Sequence, residues 1–413
     1  MNVKGDCMVN NICNIQKLLV KYNLKLWVMI NKDNSDNIFY KYISKNIYTL
    51  SMCFISTNKT YLLIHDLDKD NLNNEYLKEN NIFVICYNNQ NDLSDKIEDI
   101  ISYLGFIPEI SLSYSTMGDS DLDILGHGEF VEYTNILKKP YLKYKKKINF
   151  NSAEQVIYSI LGEKTENQIE RIKLIAGITQ EILDTTFKTI TIGMTEIEIA
   201  KHIVELTKNI TRQHIGKKII SFSLAWENCP FVLTGVNLSK GGHTVPSEKI
   251  LKKGDTIYFD FGICATFDDG EKIYSDIQRM GYALKKNEIK PPLVVRKVFK
   301  TLTESIESAL DRMKPDTKGY EIDDIVRGRI LREGYPNYNH STGHPVGLKV
   351  HDTGAVLSNK SNKRSYLPLV ENGIYTIEPR IAIPNGGSIE EMFLVTKFGG
   401  IPVCKMQKDI YLI

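Results

Sequence analysis

Thr256-Ile-Tyr-Phe-Asp260 and Lys272-Ile-Tyr-Ser-Asp276-Ile, with the turn signal Asp268-Asp269-Gly270 between them, give the first firm reading of this chain. β-Branched and aromatic residues on both sides of an Asp-Gly turn predict an antiparallel hairpin. The midpoint of 260 and 276 is 268, inside the turn, so the two aspartates are expected opposite one another, with Cβ atoms roughly 5 Å apart. The construction recurs downstream. Tyr375-Thr-Ile-Glu378 and Ser388-Ile-Glu390-Glu391-Met flank Pro384-Asn385-Gly386-Gly387, and the midpoint of 378 and 390 is 384, again in a turn.

One strand-end carboxylate is ordinarily a solvated charge. Two mirrored pairs, each set among apolar strand residues, are costly to leave charged unless a cation compensates them. A histidine cluster lies between the pairs: His340-Ser-Thr-Gly-His344-Pro-Val-Gly-Leu-Lys-Val-His351-Asp-Thr-Gly354. Its i, i+4 histidines lack the glutamate of a helical zinc motif, and Gly343, Pro345 and Gly347 oppose a helix, so an irregular or extended segment is expected. Four carboxylates and one imidazole form a hard, oxygen-rich donor set suited to a pair of divalent cations: Asp260, Asp276, Glu378, Glu390 and His344.

The remaining composition narrows the function classes. At 413 residues two domains are expected, and a net charge of +2 provides no global field for nucleic acid or an anionic membrane. The lysine-rich stretch 138–147, beside Pro140, reads as a solvated strand or linker without an accompanying base-stacking module. Seven cysteines without C-x-x-C spacing suit a reducing cytosol better than a disulfide framework. The polar Met1–Cys13 stretch lacks the apolar core of a signal peptide, and no apolar run approaches the roughly 20 residues of a membrane span, so a cytoplasmic protein is expected.

Hydrophobic periodicity organises the rest. Ile12, Ile15, Leu18, Leu19 and Tyr22 have helical spacing; 26–30, 52–55, 61–64 and 82–86 read as strands; Leu93 to Leu104 reads as an amphipathic helix. An α/β domain over 1–150 is expected, followed by a second domain over 151–413 that opens with long helices. Ile169, Ile172, Ala176, Thr179, Leu183 and Phe187 form one stripe, started by a Thr165/Gln168 capping box, and Thr195/Glu198 repeats that device. Gly193-Met-Thr-Glu-Ile-Glu-Ile199 and Gly319-Tyr-Glu-Ile-Asp-Asp-Ile325 each open a helix that follows another, over 166–187 and 294–313. Each half later delivers one carboxylate hairpin, which predicts two similar helix-sheet units around a shared cleft.

The order Asp, Asp, His, Glu, Glu resembles the pita-bread metallopeptidases, the family that includes methionine aminopeptidase, prolidase and Xaa-Pro aminopeptidase. Its local contexts here are Phe259-Asp260-Phe261-Gly262, Tyr274-Ser275-Asp276-Ile277, Thr342-Gly343-His344-Pro-Val-Gly347, Thr376-Ile377-Glu378-Pro379 and Ile389-Glu390-Glu391-Met392. The resemblance covers roughly 150–413 and implies an α+β pita-bread catalytic domain of two pseudo-symmetric halves, preceded by a creatinase-type N-terminal domain. It implies that Asp260 chelates one cation, that Asp276 and Glu390 bridge both, and that His344 and Glu378 bind the second, with Glu378 also passing a proton. His243 would face the substrate, His351 the scissile carbonyl, and His340 would line the pocket. The cofactor implied is two divalent ions, Mn²⁺ first and Co²⁺, Fe²⁺ or Zn²⁺ next. The substrate implied is a peptide with proline in second position, cleaved by an aminopeptidase or, as the alternative, a dipeptidase, in a homodimer that binds neither nucleic acid nor membrane. Retention of all five ligands argues against a metal-free amidinohydrolase and a non-catalytic binding protein on this fold; a lyase using the same metal site stays open. Pro345, Gln278 and Ser388 depart from the residues usual at those places, Gly, Thr and Arg, and the 16-residue interval from 260 to 276 implies an extended hairpin tip.

Overall fold

The computed structural model describes residues 12–33, 36–44, 46–216, 218–240 and 244–413. The chain divides into two compact units, Met1–Leu161 and Gly162–Ile413.

The first unit is built on a mixed sheet of β1 (Leu26–Asn31), β2 (Ser51–Ser56), β3 (Thr60–His65), β4 (Ile82–Tyr87), β5 (Glu109–Leu112) and β6 (Asn149–Ser152), in the order β4-β3-β2-β1-β5-β6. Each of the four strands expected from apolar runs is present, extended by a residue or two at its ends. Helices α1 (Ile12–Lys21), α2 (Asn37–Tyr42), α3 (Asn74–Glu79), α4 (Gln90–Tyr103) and α5 (His127–Lys143) surround it. Helix α4 buries Leu93, Ile97, Ile100 and Ile101, the stripe its 3.6-residue period requires, and these join Val28, Phe54 and Leu63 of the sheet in one core.

The lysine-rich stretch is not a strand or linker up to Lys143: it is the end of α5, with Pro140 inside the helix. The missing N–H of Pro140 forfeits only the bond to Ile136, close to the helix end. Tyr133, Leu137, Pro140 and Tyr141 meanwhile bury a continuous apolar stripe, and that burial outweighs the breaker. Lys139, Lys143, Lys145, Lys146 and Lys147 are exposed, as a solvated run should be.

After α6 (Glu154–Gly162), the second unit opens with α7 (Glu166–Thr189) and α8 (Glu196–Arg212). Both capping boxes form: Gln168 N donates to Thr165 Oγ1 at 3.2 Å and Glu198 N to Thr195 Oγ1 at 3.1 Å, each glutamine or glutamate side chain accepting in return from the cap N–H. The stripe from Ile169 to Phe187 is buried throughout and packs on Phe259, Phe261, Ile263 and Ile277. The second half repeats the plan with α9 (Leu293–Glu307) and α10 (Gly319–Arg332); α9 stops short of the expected 313, and 310–312 form a separate 3₁₀ turn.

The strands of this unit are β7 (Ile219–Leu224), β8 (Phe231–Thr234), β9 (Thr256–Phe261), β10 (Ile263–Phe267), β11 (Lys272–Tyr274), β12 (Ile277–Tyr282), β13 (Ile374–Ile377), β14 (Arg380–Ile381), β15 (Gly387–Ser388), β16 (Glu391–Thr396), β17 (Gly399–Pro402) and β18 (Tyr411–Leu412). The hairpin β9-β10/β11-β12 forms, but its register differs from the expected one. Asp260 stands opposite Gln278, and Cys264 opposite Tyr274, which places the centre at 269 rather than 268 and leaves Gly262 across from Asp276. A Cβ on Gly262 would come within 2.1 Å of the Ser275 carbonyl oxygen, so glycine is what lets the two strands close here. The extended tip is fastened to α7, where Arg171 pairs with Asp269 at 2.7 Å and Glu271 at 2.8 Å.

The second hairpin keeps its expected register: Ile377 faces Glu391 and Arg380 faces Ser388, so Glu378 and Glu390 stand across from one another. A bridge between Gln278 and Glu390 joins the two hairpins. Arg279, fully buried, reinforces the junction by donating to Gln180 Oε1 of α7 at 2.8 Å, the Glu390 carbonyl at 2.9 Å and Glu391 Oε2 at 3.1 Å. Among the described residues no helix is long and apolar enough to cross a membrane.

Candidate metal centre

The junction between the hairpins brings the acidic side chains together. Asp260 leaves β9, Asp276 immediately precedes β12, Glu378 follows β13 and Glu390 precedes β16, so each carboxylate sits at a strand end aimed at one point. His344 comes from the irregular 340–354 segment, which is pinned between the same strands: Thr376 N donates to the His344 carbonyl at 2.8 Å and Glu378 N to the Thr342 carbonyl at 2.7 Å. Gly343 makes this approach possible, since a Cβ there would meet the Thr376 carbonyl oxygen at 2.0 Å. Behind it Thr342 Oγ1 donates to Asp323 at 2.6 Å, and Asp323 is held by Arg327, whose guanidinium also donates to the carbonyls of Tyr338 and His340.

The imidazole is oriented by its own chain. His344 Nδ1 lies 3.0 Å from the Pro345 carbonyl oxygen, an acceptor only, so Nδ1 carries the proton and Nε2 presents its lone pair. That nitrogen faces Asp276 Oδ2 at 3.6 Å, Glu378 Oε1 at 3.8 Å and Glu390 Oε1 at 3.8 Å. Ligand atoms of Asp276, His344 and Glu390 all lie within 4.8 Å of one another. Asp260 and Glu378 are tied in by Gln278, whose Nε2 donates to Asp260 Oδ2 at 3.3 Å and Glu378 Oε2 at 3.2 Å.

Electrostatically the cluster is a concentration of buried acids. Burial lifts the Asp260 carboxyl to about 7, with Arg380 pulling the other way. Asp276 is raised well above the usual carboxylate range by burial, then by Glu390 and Asp260; Glu378 by burial, then by Asp276 and Asp260; Glu390 by burial, then by Glu378 and Asp260. Asp276 Oδ1 and both oxygens of Glu390 are buried with no hydrogen-bond partner. Ionised carboxylates only accept, so neither can satisfy the other. The donor set fits a pair of divalent cations: four negative charges, a correctly oriented imidazole nitrogen, and buried oxygens with nothing else to bind.

The centre opens on a cavity of about 490 Å³ lined by Asp260, Glu378, His344, His340, His351 and Arg380, among others. The His351 ring stands edge-on to His344 at 4.4 Å between centroids, and the His340 ring lies 4.8 Å from Tyr338. The structure thus gathers Asp260, Asp276, His344, Glu378, Glu390, His340 and His351 at one place; His243 lies outside the described residues.

Arg380 was not singled out by sequence reasoning, although a charged residue inside an apolar strand run was the available signal. It is buried directly across the ladder from Ser388 and held by Tyr258 Oη at 2.9 Å and by the carbonyls of Leu238 and Lys240 at 3.1 and 2.8 Å. Its guanidinium is a fixed positive charge that partly offsets the acidic cluster. Asp352 and Arg364, also in the cavity wall, carried no signal of period or spacing.

Residues 170–397 match the sequence profile described as metallopeptidase family M24. An Xaa-Pro dipeptidase of Pyrococcus horikoshii is 28% identical over 272 residues, covering 64% of this chain and 70% of that protein. The solved X-Pro aminopeptidase of Thermotoga maritima superposes with a TM-score of 0.58 at 22% identity, over 96% of this chain and 100% of the other. The Xaa-Pro dipeptidase of Bacillus anthracis gives 0.59 at 20% identity, over 97% and 99%. At those identities the two structures establish a shared fold: the pita-bread arrangement behind an N-terminal domain.

Proposed function

The chain belongs to metallopeptidase family M24, and from that premise we propose that it is a two-cation exopeptidase releasing the N-terminal residue that precedes a proline. The observation that carries the reading is the convergence of Asp276, His344 and Glu390 with buried oxygens that lack any hydrogen-bond partner.

Asp260, Asp276, His344, Glu378 and Glu390 would hold the ions. When bound, such a pair acidifies water and polarises the scissile carbonyl, and Mn²⁺ suits the oxygen-rich donors. The chain's own groups do the rest. Glu378, at the cavity edge of the cluster, takes up a proton and delivers it to the departing proline nitrogen. His351, edge-on to His344, donates to the carbonyl oxygen as negative charge develops there. His340 lines the entrance for the peptide, and His243 is proposed as a further substrate contact. A cytoplasmic location and a homodimer belong to the same reading, whereas the expected boundary at 150 falls inside β6, which pairs with β5, and the first compact unit runs on to Leu161.

A second reading, cleavage confined to Xaa-Pro dipeptides, is favoured by Arg364. It is a cation in the cavity wall that would attract a dipeptide's α-carboxylate. Metal analysis of protein purified without chelator, with assays on Xaa-Pro-Yaa and Xaa-Pro, separates the two. Release of the first residue from tripeptides supports the aminopeptidase; turnover of dipeptides alone, lost in Arg364→Met, supports the dipeptidase. An Asp276→Asn protein with full metal content and full activity would overturn the ligand assignment.

A further inference from the structure

Arg380 is buried, forms part of the cavity wall and has only neutral hydrogen-bond partners. Nη1 donates to the Tyr258 hydroxyl at 2.9 Å, and Nη2 to the carbonyls of Leu238 and Lys240 at 3.1 and 2.8 Å. The guanidinium also lies over the Tyr258 ring, 5.0 Å from its centroid, which fixes its place. A guanidinium carries five N–H donors, so Nε–H and one Nη1–H are left over. Ser388, facing it across the ladder, is short and donates its hydroxyl to the Pro379 carbonyl at 3.1 Å, so it does not take these donors.

Charge says what kind of group they await. Arg380 is drawn to Asp260 and Glu378, but two divalent ions carry as much positive charge as the four carboxylates of the centre carry negative. Asp352, the remaining acid of the wall, is paired with Lys164 at 3.1 Å. A loaded centre therefore leaves Arg380 with spare donors and, among the described residues, no carboxylate to pair with. A buried cation in that state is costly unless an anion arrives with the substrate. Arg364, which donates to the Gly354 carbonyl at 3.0 Å just beyond His351, is the cation placed for the α-carboxylate of a dipeptide. Arg380 is tied instead to β9, the strand of Asp260.

We propose that Arg380 is a specificity-determining residue that holds the carboxylate of an acidic first side chain, so that peptides beginning Glu-Pro or Asp-Pro are the preferred substrate class. A charge-assisted pair of this kind favours the acid by about tenfold to a hundredfold over a neutral side chain of the same shape.

This rests on the exopeptidase reading above, and the test separates the two. Values of kcat/KM for Glu-Pro and Gln-Pro, and for the tripeptides Glu-Pro-Ala and Gln-Pro-Ala, are measured on Mn²⁺-loaded wild type, Arg380→Met and Arg380→Lys. Glutamine has the shape of glutamate without its charge, and the Glu to Gln ratio within each protein cancels any general loss of activity. Calorimetric binding of L-glutamate and L-glutamine reads the same preference without turnover. The expected wild-type ratio is about ten or more by both measures, falling close to one in Arg380→Met and partly kept in Arg380→Lys. Should Arg380→Met not fold in a thermal melt, Arg380→Gln takes its place. A wild type that cleaves both peptides equally, or a variant without the cation that keeps the preference, overturns the proposal alone. So does a variant that keeps it but no longer distinguishes Gln-Pro from its C-terminal amide, which would assign Arg380 to the α-carboxylate. A wild type that cleaves no Xaa-Pro peptide overturns the exopeptidase reading and the proposal with it.

Discussion

Lys164 and Asp352 form an ion pair at 3.1 Å whose side chains are 1% and 5% exposed, with Asp352 in the cavity wall. Replacing Lys164 by Met keeps the length of the side chain and removes its charge, which leaves the Asp352 carboxylate buried without its cation. Breaking such a pair from one side costs about 3–5 kcal/mol. Asp352 retains two backbone donors, Leu348 N to Oδ2 and Thr353 N to Oδ1, both at 2.8 Å, so the lower end, about 3 kcal/mol, is expected. For a unit of this size that corresponds to a fall in Tm of about 6–12 °C. Trp226 lies in the second unit and Trp27 in the first, so denaturation followed by fluorescence in a Trp27→Phe background reports the unit concerned. Lys164→Met combined with Asp352→Asn removes the stranded charge while keeping a side-chain acceptor, and recovers at least half of the loss. A single variant that costs under about 1 kcal/mol, or a double variant no better than the single, would refute the argument that the charge itself is what the pair neutralises.

Asp36 caps α2 through Oδ1, while its Oδ2 is buried without a partner, and burial pushes the carboxyl from 3.8 up to about 6. The folded state therefore holds the proton more tightly, so this group's contribution is present below pH 3.8 and is lost, by about 3 kcal/mol in all, as pH rises through 6. Asp36→Asn keeps the cap and should be the more stable protein at pH 8 with no advantage near pH 4, measured by urea denaturation; a gain equal at both pH values would contradict it. Mn²⁺ must displace protons from acids raised by burial and mutual repulsion, so its affinity should increase with pH and calorimetric heats should depend on the buffer's ionisation enthalpy. Heats identical across buffers would exclude that linkage. Gly343→Ala forces a Cβ into the Thr376 carbonyl and displaces His344; a stability loss of about 1–3 kcal/mol with weakened metal binding is expected, and unaltered metal affinity would argue against the close approach.

Much of this centre was legible in the sequence because its parts are local. Turn residues between β-branched runs predict hairpins, capping boxes start α7 and α8, and the period of 3.6 picks out the face of α7 that is buried. The hairpin of Glu378 and Glu390 even keeps the register its turn implies. The other hairpin slipped by one position at its centre, because close packing at Gly262 and the bridge to Glu390 set the pairing of Asp260, and turn composition cannot express either. Pro140 was misread for a related reason: the apolar stripe on α5 that retains it in a helix is a property of the core it packs on.

By itself, then, the sequence determined which side chains could hold cations, the hairpins that present them and the helices that back them, since each follows from spacing within a few turns of chain. The tertiary structure decided what surrounds those acids. Gln278 between Asp260 and Glu378, Arg380 against Tyr258, and Lys164 beneath Asp352 each depend on a partner that folding brings into contact. The physical reason is that a buried charge takes its energy from whatever lies within a few ångströms, and those neighbours here arrive from strands and helices as many as 188 residues apart, as Lys164 and Asp352 are.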